Sequence, residues 1–132
     1  MLHSTKKKYM FIIYELRNKG AAVRSIDVAT SLGVKKASVS LMLPNLINEG
    51  LIERTEHGYI AFTEKGAVFA AELYLRYLTL YRFFTEKLGS SAESARADAI
   101  CCLCSMTEEN SEGMANFILN EISEAEQAEK QA

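Results

Sequence analysis

Three cysteines within four positions, Cys101, Cys102 and Cys104, are the densest cluster of reactive side chains in this 132-residue sequence. Cys101 and Cys104 stand three apart, which puts two thiols on one helical face and suits a soft ion or an oxidant-sensing pair. Two thiols are too few for zinc, so His3 or a second subunit would have to complete such a site. The plainer alternative is three small thiols that pack as apolar side chains. A second cluster has different chemistry. Lys35, Lys36, Ser38 and Ser40 offer ammonium and hydroxyl groups to phosphates and base edges, whereas Ala37 and Leu41 offer only apolar contact, for instance to a thymine methyl. Arg24 and His57 complete this candidate DNA-binding set. No Ser-His-Asp set, paired acids or phosphate loop is present, so the sequence reads as a binding protein and not an enzyme.

Side chains that must lie in a groove need a rigid scaffold, and the apolar spacing supplies one. Tyr9, Ile12, Ile13 and Leu16 recur at helical intervals from Lys6 to Asn18, with the lysines on the polar face and Gly20 as a stop. Ser25 is placed to cap a short second helix with Ile26, Ala29 and Leu32 inward and Gly33 at its end. A third helix runs from about Lys36 to Asn48 with Val39, Met42, Leu43 and Leu46 inward. Pro44 interrupts its hydrogen bonding and predicts either a kink or a tolerated defect. The period then changes: Leu51 to Arg54 and Tyr59 to Phe62 read as strands of a small hairpin turning at Gly58. Helix, turn, helix and hairpin in this order make a winged helix-turn-helix, whose second helix enters the major groove by its N-terminal part.

Beyond Thr63, a predicted cap, a long helix from about Glu64 to Leu88 is apolar on several sides. A small chain has little with which to cover it, so self-association into a homodimer follows. Ser90 with Glu93 fits a capping box for a helix to about Ser105, and Thr107 caps another carrying Met114, Phe117, Ile118 and Ile122. The fold class is thus mostly α with a small β wing: a DNA-binding domain over 1–66, a helical dimerisation domain over 67–123 and a frayed or disordered tail over 124–132.

The formal charge of −2 conceals an asymmetry: residues 1–66 carry ten Lys or Arg against six Asp or Glu, net +4, and the remainder nets −6. The basic half is the one suited to a polyanion. Three closely spaced cysteines do not form a disulfide framework and fit a reducing compartment. With no eighteen-residue apolar run, and with Met1 to Lys8 a short polar and basic start without an apolar signal region, the expectation is a cytoplasmic protein without a membrane span or secretory signal.

The run from Val23 to Leu43, then Asn48 to Glu53 and Phe62 to Gly66, closely resembles the iron- and manganese-dependent repressors, the diphtheria-toxin-repressor-like regulators. The Leu75-Arg76-Tyr77 segment, Arg82-Phe83-Phe84 and the stretch from Asp98 to Thr107 are similar to that family's dimerisation region, and the length matches its short manganese-responsive members. The resemblance implies a divalent transition metal, manganese, iron or zinc, as effector. It also places the metal donors, and there this sequence departs. Lys8 stands where the family has an acidic or sulfur ligand, and Phe11 where some members have a second acid. Tyr77 replaces a histidine, Tyr81 a glutamate and Arg96 a histidine used by some members. Ile100, Leu103 and Cys104 stand for the final cluster, and only Cys104 keeps metal-binding chemistry. Hard ions want several oxygen or imidazole ligands, so the usual metal switch is expected to be lost. Arg96 or Lys8 would then supply the missing positive charge near Tyr77 and Tyr81.

The leading expectation is a homodimeric regulator, most simply a repressor, of double-stranded DNA. Its rivals are a winged-helix module for protein interaction, using Leu41 and the apolar long helix, and a thiol- or aromatic-ligand-responsive regulator with Tyr74, Tyr77, Tyr81 and Phe84 around a pocket.

Overall fold

The computed structural model describes residues 3–131. Its elements, in order, are α1 (Ser4–Asn18), α2 (Ser25–Leu32), α3 (Lys36–Asn48), β1 (Ile52–Arg54), β2 (Ile60–Phe62), α4 (Glu64–Glu86), α5 (Ala92–Ser105) and α6 (Glu108–Gln131). The chain divides into two compact units, Met1–Tyr74 and Leu75–Ala132, later than the expected boundary after Gly66. Mostly helical with one two-stranded antiparallel sheet, it has the expected fold class.

The first unit is organised by apolar side chains at helical spacing. Tyr9, Met10, Phe11, Ile12 and Ile13 of α1, Val28 and Ala29 of α2, and Val39, Leu43 and Leu46 of α3 are buried together with Leu51, Ile52 and Ile60 of the hairpin region. Each such Val, Leu or Ile contributes about 1.5–3 kcal/mol by leaving water, enough to fix which face of a short helix points inward. Ile26 was expected inside α2, but Val28 takes that place and Ile26 remains 37% exposed. The expected lysine-bearing polar face of α1 also differs. Lys7 is buried, Lys6 is half-buried against Glu49 with a Nζ–Oε2 distance of 3.1 Å, and Lys8 is exposed.

β1 and β2 pair with Ile52 opposite Phe62 and Arg54 opposite Ile60. Val23 bridges Ile60 from the other side, so the extended residues before α2 tie the hairpin to the helices. The Ile60 N–H donates to the Val23 carbonyl at 2.8 Å. The tight end of the hairpin depends on Gly58 at φ 81°, in the left-handed region, with its N–H donating to the Thr55 carbonyl at 2.9 Å.

α4 starts as expected from Thr63, whose Oγ1 accepts from the Gly66 N–H at 3.0 Å and whose hydroxyl donates to the Gly50 carbonyl at 2.6 Å. Gly66 is needed here for space: a Cβ would collide with the Leu51 carbonyl. In the second unit, α5 is capped by Ser91, which accepts from the Ser94 N–H at 3.2 Å, and not by the expected Ser90. Arg76, on α4, holds α6 through Glu108 at 2.9 Å and the fully buried Ser111 at 3.4 Å. The 124–132 tail was expected to fray. Instead α6 continues to Gln131, and Arg82 reaches Glu126 at 2.6 Å; every side chain from 124 to 131 is exposed. Ala132 lies outside the described residues.

Among the described residues no helix is long and apolar enough to cross a membrane.

Gly66→Ala tests the contact of α4 with the chain before β1. The added methyl should force the helix start off Leu51 and destabilise the first unit by about 1–3 kcal/mol, read as a lower midpoint in urea unfolding.

Candidate nucleic-acid interface

α2 ends in a left-handed glycine, Gly33 at φ 68°, with the Val34 N–H donating to the Ala29 carbonyl at 3.1 Å. This closes the helix sharply and sends the chain through Val34 into α3. α3 has Lys35 as an extended N-cap without a side-chain cap bond, and no acidic residue in its first turn. Its opening amides and positive dipole end are therefore offset by no acidic residue of its own first turn, an arrangement that suits a phosphate. Behind this end, Val39, Leu43 and Leu46 are at most 1% exposed. In front of it, Lys35, Lys36, Ala37, Ser38, Ser40 and Leu41 are all exposed, Leu41 to 76%. Thus all six α3-end residues named from sequence lie together on one solvent side. Pro44 is exposed within the continuous α3, where its missing N–H leaves the Ser40 carbonyl without its usual donor.

Arg24 and His57 are exposed as well, on different supports. Arg24, not the expected Ser25, is the N-cap of α2. Its N–H donates to Asp27 Oδ2 at 3.0 Å, and its guanidinium lies 3.3 Å from Asp27 Oδ1. The guanidinium holds the Asp27 carboxyl below its ordinary pKa. This pair is thus complete above the usual carboxylate range, and its contribution is lost as pH falls through the lowered Asp27 value. His57 stands in the hairpin turn between Glu56 and Gly58.

One residue that positions the wing escaped the sequence reading. The Arg54 guanidinium donates from Nη1 to the Gly58 carbonyl at 2.8 Å and from Nη2 to Ser25 Oγ at 3.0 Å. A single planar fork thus joins the turn of the hairpin to the first residue of α2. Its sequence signal is faint: an arginine at the end of a strand, four residues before a turn glycine.

The positions that the family resemblance assigns to metal do not make a donor set. In the first unit, Lys8 is exposed and Phe11 is fully buried, stacked on Tyr74 at 5.8 Å between centroids. In the second, Tyr77 is 5% exposed, Tyr81 is half-buried with its ring 5.8 Å from that of Tyr77, and Arg96 Nη1 donates to the Tyr77 hydroxyl at 3.3 Å. Ile100 is half-buried, while Leu103 and Cys104 are buried. Protonated amine, guanidinium, phenyl and aliphatic groups offer no lone pair to a cation, and phenols at neutral pH are poor donors. No group of three or more His, Cys, Asp or Glu suited to a metal occurs among the described residues. The chemistry at these positions does not fit a divalent ion.

The expected thiol pair is also unequal. Cys101 is exposed, Cys104 is buried, and burial pushes the thiol of the intervening Cys102 up, helped by Cys101 and Asp98. A raised thiol has less thiolate at neutral pH and so reacts more slowly.

Residues 2–67 match the family described as a domain of unknown function (DUF8462). The transcriptional regulator MntR of Escherichia coli, in strains O6:H1 and O157:H7, is 34% identical over 91 residues, covering 69% of this chain and 58% of MntR. Among solved structures, the manganese regulator SloR superposes with a TM-score of 0.71 at 24% identity, over 86% of this chain and 53% of SloR. IdeR of T. acidophilum superposes with a TM-score of 0.75 at 24% identity, over 89% of this chain and 53% of its own. The chain therefore spans little more than half the length of these relatives.

Arg54→Ala should free the hairpin turn from α2 while leaving the core untouched. Amide exchange at Thr55 to Tyr59 should accelerate several-fold by hydrogen-exchange NMR, with exchange in α1 and α3 unchanged.

Proposed function

Because the chain belongs to the iron- and manganese-dependent repressor family, and its first half to the DUF8462 domains, we propose that it is a sequence-specific DNA-binding transcription regulator, acting as a repressor. The observation that carries this reading is the end of α3. Lys36, Ala37, Ser40 and Leu41 stand in solvent because Val39, Leu43 and Leu46 on the same helix are dry. In the bound state Lys35 and Lys36 neutralise phosphates, Ser38 and Ser40 hydrogen-bond phosphate or base edges, and Ala37 and Leu41 lie against thymine methyl groups. Arg24 and His57 approach the flanking backbone. With its charge already offset by Asp27, Arg24 adds less than a free lysine.

Within this reading the chain works as a homodimer, each copy placing one α3 on a half-site of a pseudo-palindrome. The first half, 1–66, meets DNA and the helices of 67–123 meet the second copy, with 124–132 outside both roles. Exposed Leu75, Leu78, Leu88, Phe117 and Leu119 of the second unit support an interface there. The compartment is the cytoplasm, where the DNA is.

The same reading includes loss of the metal switch. A lysine, a phenylalanine, two tyrosines, an arginine and two aliphatic side chains occupy seven of the eight donor positions, and the buried Cys104 alone cannot hold an ion, so DNA affinity is independent of manganese, iron or zinc. A second reading, a winged-helix module for protein contacts, draws on the 76% exposure of Leu41, unusual for an unpartnered side chain of that size.

Selection of bound sequences from random duplexes, run with chelator, with manganese and with zinc, separates these readings. One preferred pseudo-palindrome recovered in all three is expected. Binding without sequence preference favours the interaction module, and recovery only with manganese sinks the loss of the switch. On the selected site, Lys35→Ala with Lys36→Ala should weaken binding and lower the slope of log K against log salt by about 0.9 for each phosphate that is no longer neutralised.

A further inference from the structure

α5 is a helix with little to hold it by apolar contact alone. Its buried residues are Ala95, Ala99, Leu103 and Cys104, and two of these contribute a single methyl each. Its opening turn is capped by Ser91, which satisfies an amide but does not tie α5 to another helix. Arg96 links this thin seam to α4. Its Nη1 donates to the Tyr77 hydroxyl at 3.3 Å, and its Cζ lies 5.8 Å from the centre of the Tyr77 ring. One guanidinium therefore uses both the oxygen and the π-face of a tyrosine that is only 5% exposed. The tilted ring of Tyr81, 5.8 Å from that of Tyr77, extends the aromatic surface beneath it.

From this geometry we propose that Arg96 is a positioning residue that serves as the resident cation of the helical half. It pins α5 to α4 and keeps that half in the form competent for DNA, in place of an exchangeable metal ion. The proposal rests on the DNA-binding reading above. Both partners stand at positions where the family resemblance places histidines, so a cation and its seat have replaced two neutral donors at the same place. The replacement is permanent in a way that a bound metal is not. A guanidinium stays protonated across the physiological range, is attached to the backbone and does not respond to metal supply or chelation. Its planar shape also matters, because a flat cation can lie against a ring and donate at its edge, whereas an ammonium is more strongly hydrated and makes a poorer fit.

The test uses the full chain and three substitutions, R96A, R96K and Y77F, with two readouts: affinity for the selected duplex and the thermal unfolding midpoint, each with chelator and with manganese. The wild-type chain should give the same values in both conditions. R96A should weaken duplex binding about tenfold and lower the midpoint by several degrees, and manganese should restore neither. R96K, which keeps the charge, should recover part of the affinity, and Y77F, which keeps the ring but loses the hydroxyl, should lose about threefold. Wild-type affinity in R96A overturns the proposal. So does a lower midpoint with unchanged affinity, which would make Arg96 a packing residue only, and so does R96K as weak as R96A. A wild-type chain that binds no duplex instead removes the DNA-binding reading itself, which the unsubstituted control identifies before any variant is compared.

Discussion

The burial of three side chains on one face of α3 is the constraint on which the rest depends. Val39, Leu43 and Leu46 are at most 1% exposed and recur at helical spacing, so the opposite face has no choice but solvent. Lysine, serine and leucine on that face are presented because the helix cannot rotate without exposing its apolar stripe. The neighbouring elements guard this arrangement. α2 ends in Gly33 so that α3 starts at a sharp angle, β1 follows α3 closely, and α4 begins against the Leu51 carbonyl where Gly66 leaves room. Stability and presentation are coupled here: a substitution in the stripe disturbs the presented face from a distance.

Much of this was legible in the sequence. Apolar periodicity located every helix of the first unit, and the switch to β-prone residues after Leu51 located the hairpin. These signals are strong because burial repeats over several turns. Single interactions were harder to foresee. Sequence favoured Ser25 as the cap of α2 because serine is a good N-cap, yet Asp27 accepting from the Arg24 N–H decides the start. Ser90 and Ser91 are chemically equal candidates, and only the path of the chain after Gly89 selects Ser91. Lys7 was read as surface because lysine usually is, and its burial is a tertiary fact that helical periodicity does not encode.

The candidate site divides in the same way. The α3 residues were legible because they form a contiguous segment at the start of a helix. Arg54 was not, since its partners, Gly58 and Ser25, lie on different elements and one of them is a backbone carbonyl. The resemblance marked Tyr77 and Arg96 as departures at positions nineteen apart, but it carried no information on how the two would meet. Their hydrogen bond and ring contact give those departures a common physical account: the two side chains that stand at those positions contact each other.

The wing brace has an electrostatic consequence of its own. Arg24 and Lys6 each face a carboxylate, Asp27 and Glu49, which cancels most of their far-reaching influence. Arg54 is anchored instead by two neutral oxygens, a carbonyl and a hydroxyl. Holding the hairpin in place therefore consumes none of its charge, and a positive charge stays fixed beside the hairpin turn. A polyanion of the kind proposed above would meet that charge already oriented and owe no entropy for ordering it, so one side chain would serve the protein's shape at short range and the proposed attraction at long range.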